Sequence, residues 1–368
     1  MTGPDRDDLR AAAAANHVSW FARCAEASGG RAVRRGKLDV AIDGARHGTL
    51  AFPARTHVRD EIDGLLADAG TLGVRSIACW SLDEDRALGT ILMARGFEIG
   101  WQPHWMALDL AAGGQEPTRR VEPAGPPYAA DLPYVSAFPY AAEARHLAVR
   151  DTDEVVGHVV VNPWQGIAGI YEMGVVPALR RQGIGRALMD GAAGVARELG
   201  CTHAVLNATL EGELLYRAVG FESLGKGRTW WLHPGRHPSA RQTELVEAIG
   251  YGDLERLASL GPTDDELDES VPGAGKPLEV AVVTGQVQIA AWILDRRPEL
   301  TSRPLAARGP TLLHTAVEWD DIELARMLLA RGADTAVRDG TWDGTPLGWA
   351  THLGNARLAE LLRAHSAQ

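Results

Sequence analysis

The C-terminal third of the chain carries an internal repeat, and this repeat restricts the possible folds more than any other feature. The pattern Leu-x-x-Ala-x-x-x-Gly, with Asp320 as its one departure, occurs at Leu245/Ala248/Gly252, Leu278/Ala281/Gly285, Leu313/Ala316/Asp320 and Leu347/Ala350/Gly354. Successive copies lie about 33 residues apart, which is typical of stacked helical repeats. A unit of this size cannot bury its apolar face alone, so we expect a short solenoid with atypical ends.

The last two copies contain more specific motifs. They read TLLHTA at residues 311–316 and TPLGWA at residues 345–350, with LLARGAD at residues 328–334 between them. These motifs resemble ankyrin repeats, which implies an all-α domain of about four repeats over residues 240–368. The first copy, near residues 242–260, lacks the signature and is expected to cap the stack.

Acidic charge is concentrated in the same third of the chain. Residues 241–368 hold 12 Lys and Arg against 20 Asp and Glu, which gives −8 of the formal net charge of −11. Such a surface repels nucleic acid and favours cationic partners, although a solvated face without a partner is the commoner explanation.

Length, termini and cysteines limit the class of protein. A chain of 368 residues predicts two or three domains. No apolar run approaches the roughly 20 residues that cross a bilayer, and the acidic N-terminus lacks the pattern of a secretory signal. The three cysteines, Cys24, Cys79 and Cys201, are far apart and odd in number. We therefore expect a cytoplasmic protein with no membrane contact, no disulfide and no metal site.

The middle third contains a glycine loop between a strand and a helix. Residues 146–161 predict a β-hairpin, residues 168–176 a strand that ends at Pro177, residues 187–199 a helix and residues 204–207 a further strand. The loop itself reads VPALRRQGIGRALM at residues 176–189. Free N–H groups at a helix N-terminus bind anions, and glycine lets the backbone approach closely. The sequence lacks the Gly-Lys-Ser/Thr of one phosphate loop and the third glycine of the dinucleotide fingerprint.

The remaining pattern is Arg180-x-x-Gly183-x-Gly185, followed after the next strand by Asn207-Ala-Thr209 and by LLYRAVGF at residues 214–221. Over residues 126–233 these motifs resemble the GNAT superfamily of N-acetyltransferases. The resemblance implies a mixed α/β fold and the cosubstrate acetyl-CoA. It also implies a set of residues that bind acetyl-CoA: Val175, Val176, Arg180, Arg181, Gln182, Gly183, Ile184, Gly185, Arg186 and Asn207.

The same resemblance implies two catalytic residues. Tyr216 is the expected general acid, since a phenol stays neutral at pH 7 and can protonate a leaving thiolate. Glu172, on the strand that enters the loop, is the expected base; Tyr171 or ordered water are alternatives. His158 lies on an apolar strand, where a structural histidine is commoner than a base. Core packing explains Trp164, Trp230 and Trp231 as well as an acceptor pocket does.

The N-terminal third resembles a degenerate copy of the same unit. ILMARGFE at residues 91–98 parallels LYRAVGFE at residues 215–222, and the helix near residues 61–68 matches the helix after the loop. The glycine loop is absent, and Leu92 stands where Tyr216 is expected. The predicted fold class is therefore multidomain: tandem α/β GNAT folds with mixed sheets, then an ankyrin solenoid. The predicted boundaries are residues 1–112 (the first half), a linker at 113–133, residues 134–237 (the second half) and residues 240–368.

Three functions follow as hypotheses. The first is acetyl-CoA-dependent N-acetylation of a primary amine on a cationic small molecule or peptide antibiotic, which would confer resistance. The second is N-acetylation of a protein that the ankyrin repeats recruit. The third is a non-catalytic acyl-CoA-binding interaction protein.

Overall fold

The computed structural model describes residues 4–36, 38–53, 58–83, 85–124, 143–233, 235, 237–305, 309–340 and 342–366. The chain divides into two compact units, Met1–Asp85 with Gly100–Pro234 and Arg86–Ile99 with Gly235–Gln368. Among the described residues, no helix is long and apolar enough to cross a membrane.

Strands and helices alternate through the first two thirds of the chain. The strands are β1 (Arg31–Arg35), β2 (Leu38–Ile42), β3 (His47–Ala51), β4 (Ser76–Ser81), β5 (Glu98–Ile99), β6 (His104–Asp109), β7 (Glu122–Pro123), β8 (Arg145–Asp151), β9 (Glu154–Trp164), β10 (Ile167–Val175), β11 (His203–Ala208), β12 (Glu222–Lys226) and β13 (Arg228–Leu232). The helices of this part are α1 (Arg6–Ala27), α2 (Val58–Leu72), α3 (Arg86–Met93), α4 (Ile184–Glu198) and α5 (Leu210–Val219).

In its described residues, the C-terminal third consists of helices joined by turns and loops, with one isolated bridge. Its helices are α6 (Ala240–Gly250), α7 (Leu254–Leu260), α8 (Asp264–Asp268), α9 (Pro277–Val283), α10 (Val287–Arg296), α11 (Leu312–Glu318), α12 (Ile322–Ala330), α13 (Pro346–His352) and α14 (Ala356–Ser366). Four of the helix pairs, α6/α7, α9/α10, α11/α12 and α13/α14, follow the four copies of the sequence repeat. The predicted helical solenoid is thus present.

A first sheet has the strand order β1-β2-β3-β4-β13 within the unit that contains it. Its neighbours pair antiparallel except β3 and β4, which are parallel. A second sheet has the order β12-β6-β11-β10-β9-β8-β7, with β10 and β11 as its one parallel pair. The two sheets thus share one pairing scheme, which is compatible with the predicted tandem folds.

The sheets exchange their last strands. Strand β6, which follows the first half's elements in the chain, lies between β11 and β12 in the second sheet. Strand β13, the last of the second half, pairs with β4 in the first sheet. This exchange puts Trp230 and Trp231 in the first sheet, opposite Cys79 and Ala78. Sequence similarity between the halves cannot reveal it, since each exchanged strand resembles the one it replaces.

The second half is built around one core. The predicted hairpin is confirmed as β8 and β9, whose turn holds Thr152 at a φ of 54°. Helix α4 covers one face of β8, β9 and β10, and α1 covers the other face of β9 and β10. On the α1 face, Trp20 stacks on Tyr171 with ring centroids 4.8 Å apart.

The domain boundaries remain a prediction. Two structural elements, β7 and α3, are relevant to them. Part of the predicted linker forms β7, an edge strand that pairs with Leu147 and Ala148 of β8. Helix α3 groups with the ankyrin-like helices, where Thr243 donates a hydrogen bond to the Ala94 carbonyl at 3.1 Å.

Candidate functional site

Strand β10 bends in its middle. Its register with β9 shifts between Tyr171 and Gly174, and Glu172 has a φ of 49°, in the left-handed region that disfavours residues with a side chain. One extra residue in a strand breaks the ladder locally and bends the chain. The bulge therefore turns the second part of β10 out of its earlier direction.

A gap opens between β10 and β11 beyond this point. The two strands pair only from Ile167/His203 to Gly169/Val205, and residues 170–175 and 206–208, all described, form no ladder with each other. Strand β11 stays paired with β6 on its other side up to Ala208. We call these two unpaired runs the strand gap. It leaves backbone groups of β10 without a strand partner on that side.

The two predicted backbone contacts at the end of β10 differ. The Val176 N–H donates to the Val156 carbonyl at 2.9 Å, and the Val176 carbonyl accepts from Leu179 at 2.9 Å. Neighbouring residues of an antiparallel strand point their backbone groups to opposite sides, so those of Val175 face the strand gap. The structure therefore supports a strand-like contact by Val175, and it does not support one by the backbone of Val176.

The glycine loop ends at an uncapped helix. Gly183 is the N-cap of α4, with a φ of 81° and no side-chain cap. The first four N–H groups of a helix lack partners within the helix, and the N–H of Ala187 is the first to bond, to the Gly183 carbonyl. Backbone N–H groups of Ile184, Gly185 and Arg186 thus remain for an anion, as the sequence predicts.

The second glycine of the loop is closely packed. A Cβ atom on Gly185 would lie 3.1 Å from Leu215 and 3.1 Å from Met173. Leu215 is next to Tyr216 on α5, so the absence of a side chain at residue 185 lets α5 lie close to the start of α4.

The loop arginines have different surroundings. Arg180 pairs with Glu211 at 3.1 Å, and the side chains of both are exposed. The Arg186 side chain binds Asp190 at 2.9 Å and the Ala218 carbonyl at 3.0 Å, so it links α4 to α5, and only its backbone is free for a ligand. Arg181 is exposed, with a φ of 63°. Arg119, which no sequence motif marks, donates to the Gln182 carbonyl at 3.0 Å.

Tyr216 lies in the middle of α5, and its hydroxyl points to the Met173 sulfur at 3.4 Å. Burial raises the pKa of the phenol to about 12. The hydroxyl therefore keeps its proton at neutral pH, as a general acid must. The hydroxyl contacts β10 at Met173, inside the bulged segment and beside the strand gap.

Glu172 occupies the bulge itself. Burial raises the pKa of its carboxyl to about 8, and among the described residues its Oε2 atom has no hydrogen-bond partner. A base works best when its pKa is near the working pH. The raised pKa thus suits the predicted role, which the sequence assigned from the position of Glu172 alone.

The alternative bases are less suited. The Tyr171 hydroxyl donates to Asn16 at 3.0 Å, and burial raises its pKa well above the ordinary value. Burial lowers the pKa of His158 to about 4, mainly by desolvation.

Asn207, the predicted contact to the cosubstrate, lies on β11 inside the strand gap and is half-buried.

Known proteins match two parts of the chain. Residues 116–221 match the acetyltransferase (GNAT) family, and residues 308–340 match the ankyrin repeat. The chain thus contains a GNAT acetyltransferase domain and, toward its C-terminus, an ankyrin repeat. The tandem arrangement with a degenerate first copy stays a prediction.

Individual relatives match parts of the chain. The chain is 52% identical over 91 residues to the nuclear factor NF-kappa-B p105 subunit of Mus musculus, which is 24% of this chain and 9% of that protein. It is 30% identical over 138 residues to the glycerophosphocholine phosphodiesterase gde1 of Schizosaccharomyces pombe, which is 37% of this chain and 12% of that protein. Among solved structures, a GCN5-related N-acetyltransferase from Kribbella flavida is similar with a TM-score of 0.46 and 18% identity, over 62% of this chain and 96% of that chain.

Proposed function

We propose that this protein acts in the cytoplasm as an N-acetyltransferase that moves the acetyl group of acetyl-CoA to a primary amine. One observation carries the proposal: the strand gap, the uncapped start of α4 and the Tyr216 hydroxyl meet at one place. Along the donor, the pyrophosphate needs the start of α4, the extended pantetheine arm needs the strand gap, and the leaving sulfur needs the Tyr216 hydroxyl.

The start of α4 supports binding of the pyrophosphate. The backbone N–H groups of residues 182–186 are the proposed donors, helped by the positive end of the helix dipole. Arg181 and Arg119 add positive charge. Arg180 joins them after leaving Glu211, which costs little because solvent-exposed ion pairs contribute about 0–1 kcal/mol.

The strand gap supports binding of the pantetheine arm. The backbone of Val175 faces the gap and pairs with the amides of the arm as a neighbouring strand would. On the other side, the Asn207 amide offers both a donor and an acceptor. The thioester then lies between the bulge of β10 and α5.

Glu172 and Tyr216 divide the proton transfers between them. The amine nitrogen attacks the thioester carbonyl carbon, and the carbon–sulfur bond breaks. Glu172 takes the proton that the ammonium loses before attack, because a free amine is protonated near neutrality. Tyr216 gives its proton to the departing sulfur, and the second proton, which the nitrogen loses after attack, returns to the Tyr216 oxygen. Burial raises the pKa of both groups, which keeps Tyr216 protonated and brings the pKa of Glu172 close to the working pH.

The proposed acceptor is a cationic small molecule or a basic peptide antibiotic, whose acetylation confers resistance. The acidic C-terminal third supports a cationic acceptor by charge complementarity. The same charge, on a helical repeat unit, also supports a second candidate, a basic protein segment that the repeats recruit.

The test is release of free thiol from acetyl-CoA by the full chain, with aminoglycosides, polyamines, basic peptides and lysine-rich proteins as acceptors. Mass spectrometry of the product identifies the acetylated atom, and acetyl-CoA affinity is measured in parallel. Turnover with one small-molecule class supports the first acceptor, and turnover with proteins alone supports the second. Binding of acetyl-CoA without turnover would leave the non-catalytic interaction protein and refute the enzyme.

A further inference from the structure

A histidine of the exchanged strand lies against the helix that carries Tyr216. His104 is the first residue of β6, where it is opposite Ala208 of β11 and Lys226 of β12. The residue is buried. Strand β6 follows β1 to β5 in the chain. A residue of the first half therefore contributes its side chain to the second sheet.

Both ring nitrogens of His104 face polar groups of the second half. The Nδ1 atom lies 2.9 Å from a carboxylate oxygen of Glu213, and the Nε2 atom lies 2.7 Å from the Ser223 hydroxyl. These two contacts place the ring between Glu213 of α5 and Ser223 of β12.

Glu213 connects this histidine to the proposed acid. It lies on α5 three residues before Tyr216, a spacing that puts two side chains next to each other on a helix. Burial alone would raise the pKa of the Glu213 carboxyl, but its hydrogen bonds to His104 and Arg217 outweigh this and lower it. The carboxylate is thus charged at neutral pH and held by two partners.

Helix α5 is therefore fixed at both ends. Arg186 of α4 donates to the Ala218 carbonyl near the C-terminal end. Glu213 and His104 hold the first turns against β6. Between these two contacts, the Tyr216 hydroxyl has one polar neighbour among the described residues, the sulfur of Met173.

We propose that His104 is a positioning residue: through Glu213 it fixes α5, so that the first half sets the place of the Tyr216 hydroxyl. This rests on the proposed acetyl transfer with Tyr216 as the acid. Small displacements of a reacting group lower rates steeply, by up to about 100-fold for about 1 Å.

The first experiment compares His104→Ala with His104→Gln in the full chain. We expect His104→Ala to lower kcat for thiol release by about tenfold or more, while KM for acetyl-CoA changes by less than about twofold, because the loop before α4 is untouched. His104→Gln keeps a donor for Glu213 and should recover part of kcat. The matched control is His203→Ala, at the opposite end of the same β6–β11 ladder, opposite Asp109.

The second experiment repeats His104→Ala in the Tyr216→Phe background. A residue that acts through Tyr216 has nothing left to position there, so the second substitution should cause no further loss of kcat. An equal loss in both backgrounds would mean that His104 only stabilises the sheet, and it would overturn the proposal.

Hydrogen exchange gives a measurement that does not depend on activity. In His104→Ala, amides of α5 should exchange faster by about tenfold, while those of α4 stay unchanged. Unchanged exchange in α5 would refute the positioning role even if the enzyme is active. Absence of turnover in the wild-type chain would refute the proposed function, and exchange in α5 would then decide the role of His104 by itself.

Discussion

The parallel strand pair at the centre of each sheet is closed in the first sheet and open in the second. Strands β3 and β4 pair at five positions, from His47/Ser76 to Ala51/Trp80, and Phe52 continues the ladder with a bond to the Trp80 carbonyl. Strands β10 and β11 stop after three. The neighbouring strands follow the same scheme in both sheets, so topology does not cause the difference. The bulge at Glu172 does, because it bends β10 away from β11.

Helices α3 and α5, which follow β4 and β11 in the chain, also differ. Tyr216 of α5 keeps its hydroxyl at the strand gap, whereas Leu92, at the aligned position of α3, is completely buried. Helix α3 packs on α6 so closely that a Cβ atom on Gly250 would lie 2.4 Å from Thr90. Tyr216 of α5 thus borders the strand gap, whereas the residue at the predicted equivalent position of α3 takes part only in packing.

The largest effect that this comparison predicts is that the second sheet binds acetyl-CoA and the first sheet does not. An open second sheet and a closed first sheet should give one acetyl-CoA per chain, measured by isothermal titration calorimetry. Two equivalent sites would contradict the comparison, because the first sheet would then bind the donor without a strand gap.

Tyr216→Phe should lower kcat for thiol release by about 100-fold or more, since removal of a general acid costs about 10²–10⁴. Acetyl-CoA affinity should stay unchanged. Tyr171→Phe is the matched control on β10: it removes a buried hydroxyl and should cost about 1 kcal/mol of stability with little loss of rate. If both variants lose rate equally, the hydroxyl of Tyr216 is not the acid.

Glu172→Gln should lower the rate and remove its pH dependence. In the wild type, the rate should rise as pH increases through about 8, the pKa to which burial raises this carboxyl, because only the ionised form accepts a proton. A flat wild-type profile between pH 6 and about 9 would exclude Glu172 as the base.

The same substitution should change stability. The folded pKa lies above the ordinary value of 4.5, so the carboxyl stabilises the fold fully below that value and loses its contribution as pH rises through about 8. Glu172→Gln should therefore be more stable than the wild type at high pH and similar at low pH. Because the side chain is only half-buried, we expect about 2 kcal/mol in urea unfolding.

Two glycines, one at the N-cap of α4 and one within the helix, give the smallest effects, with opposite signs. Gly183→Ala puts a side chain at a φ of 81° and should cost about 1–2 kcal/mol, together with acetyl-CoA affinity. Gly194→Ala, in the middle of α4 where a Cβ atom meets no neighbour within 4 Å, should stabilise by about 1 kcal/mol. Equal effects would show that helix propensity alone controls α4.

Local features of the site could be predicted from the sequence, and long-range ones could not. The hairpin before β10, the glycine at the N-cap of α4 and the position of Tyr216 follow from short patterns, which depend on nearby residues. The bulge at Glu172 leaves no mark in a strand that reads as apolar and regular. Arg119 reaches Gln182 across 63 residues of chain, a contact that no local pattern encodes.

The exchange of strands has a consequence for synthesis on the ribosome. Ser81 of β4 is opposite Arg228, 147 residues later in the chain. The first sheet stays incomplete until the end of the second half has left the exit tunnel, and closing so long a loop is slow. Until then, β4 has an unpaired edge that another chain can join. We therefore expect the edge of β4 to stay exposed during synthesis until residues 228–232 have emerged.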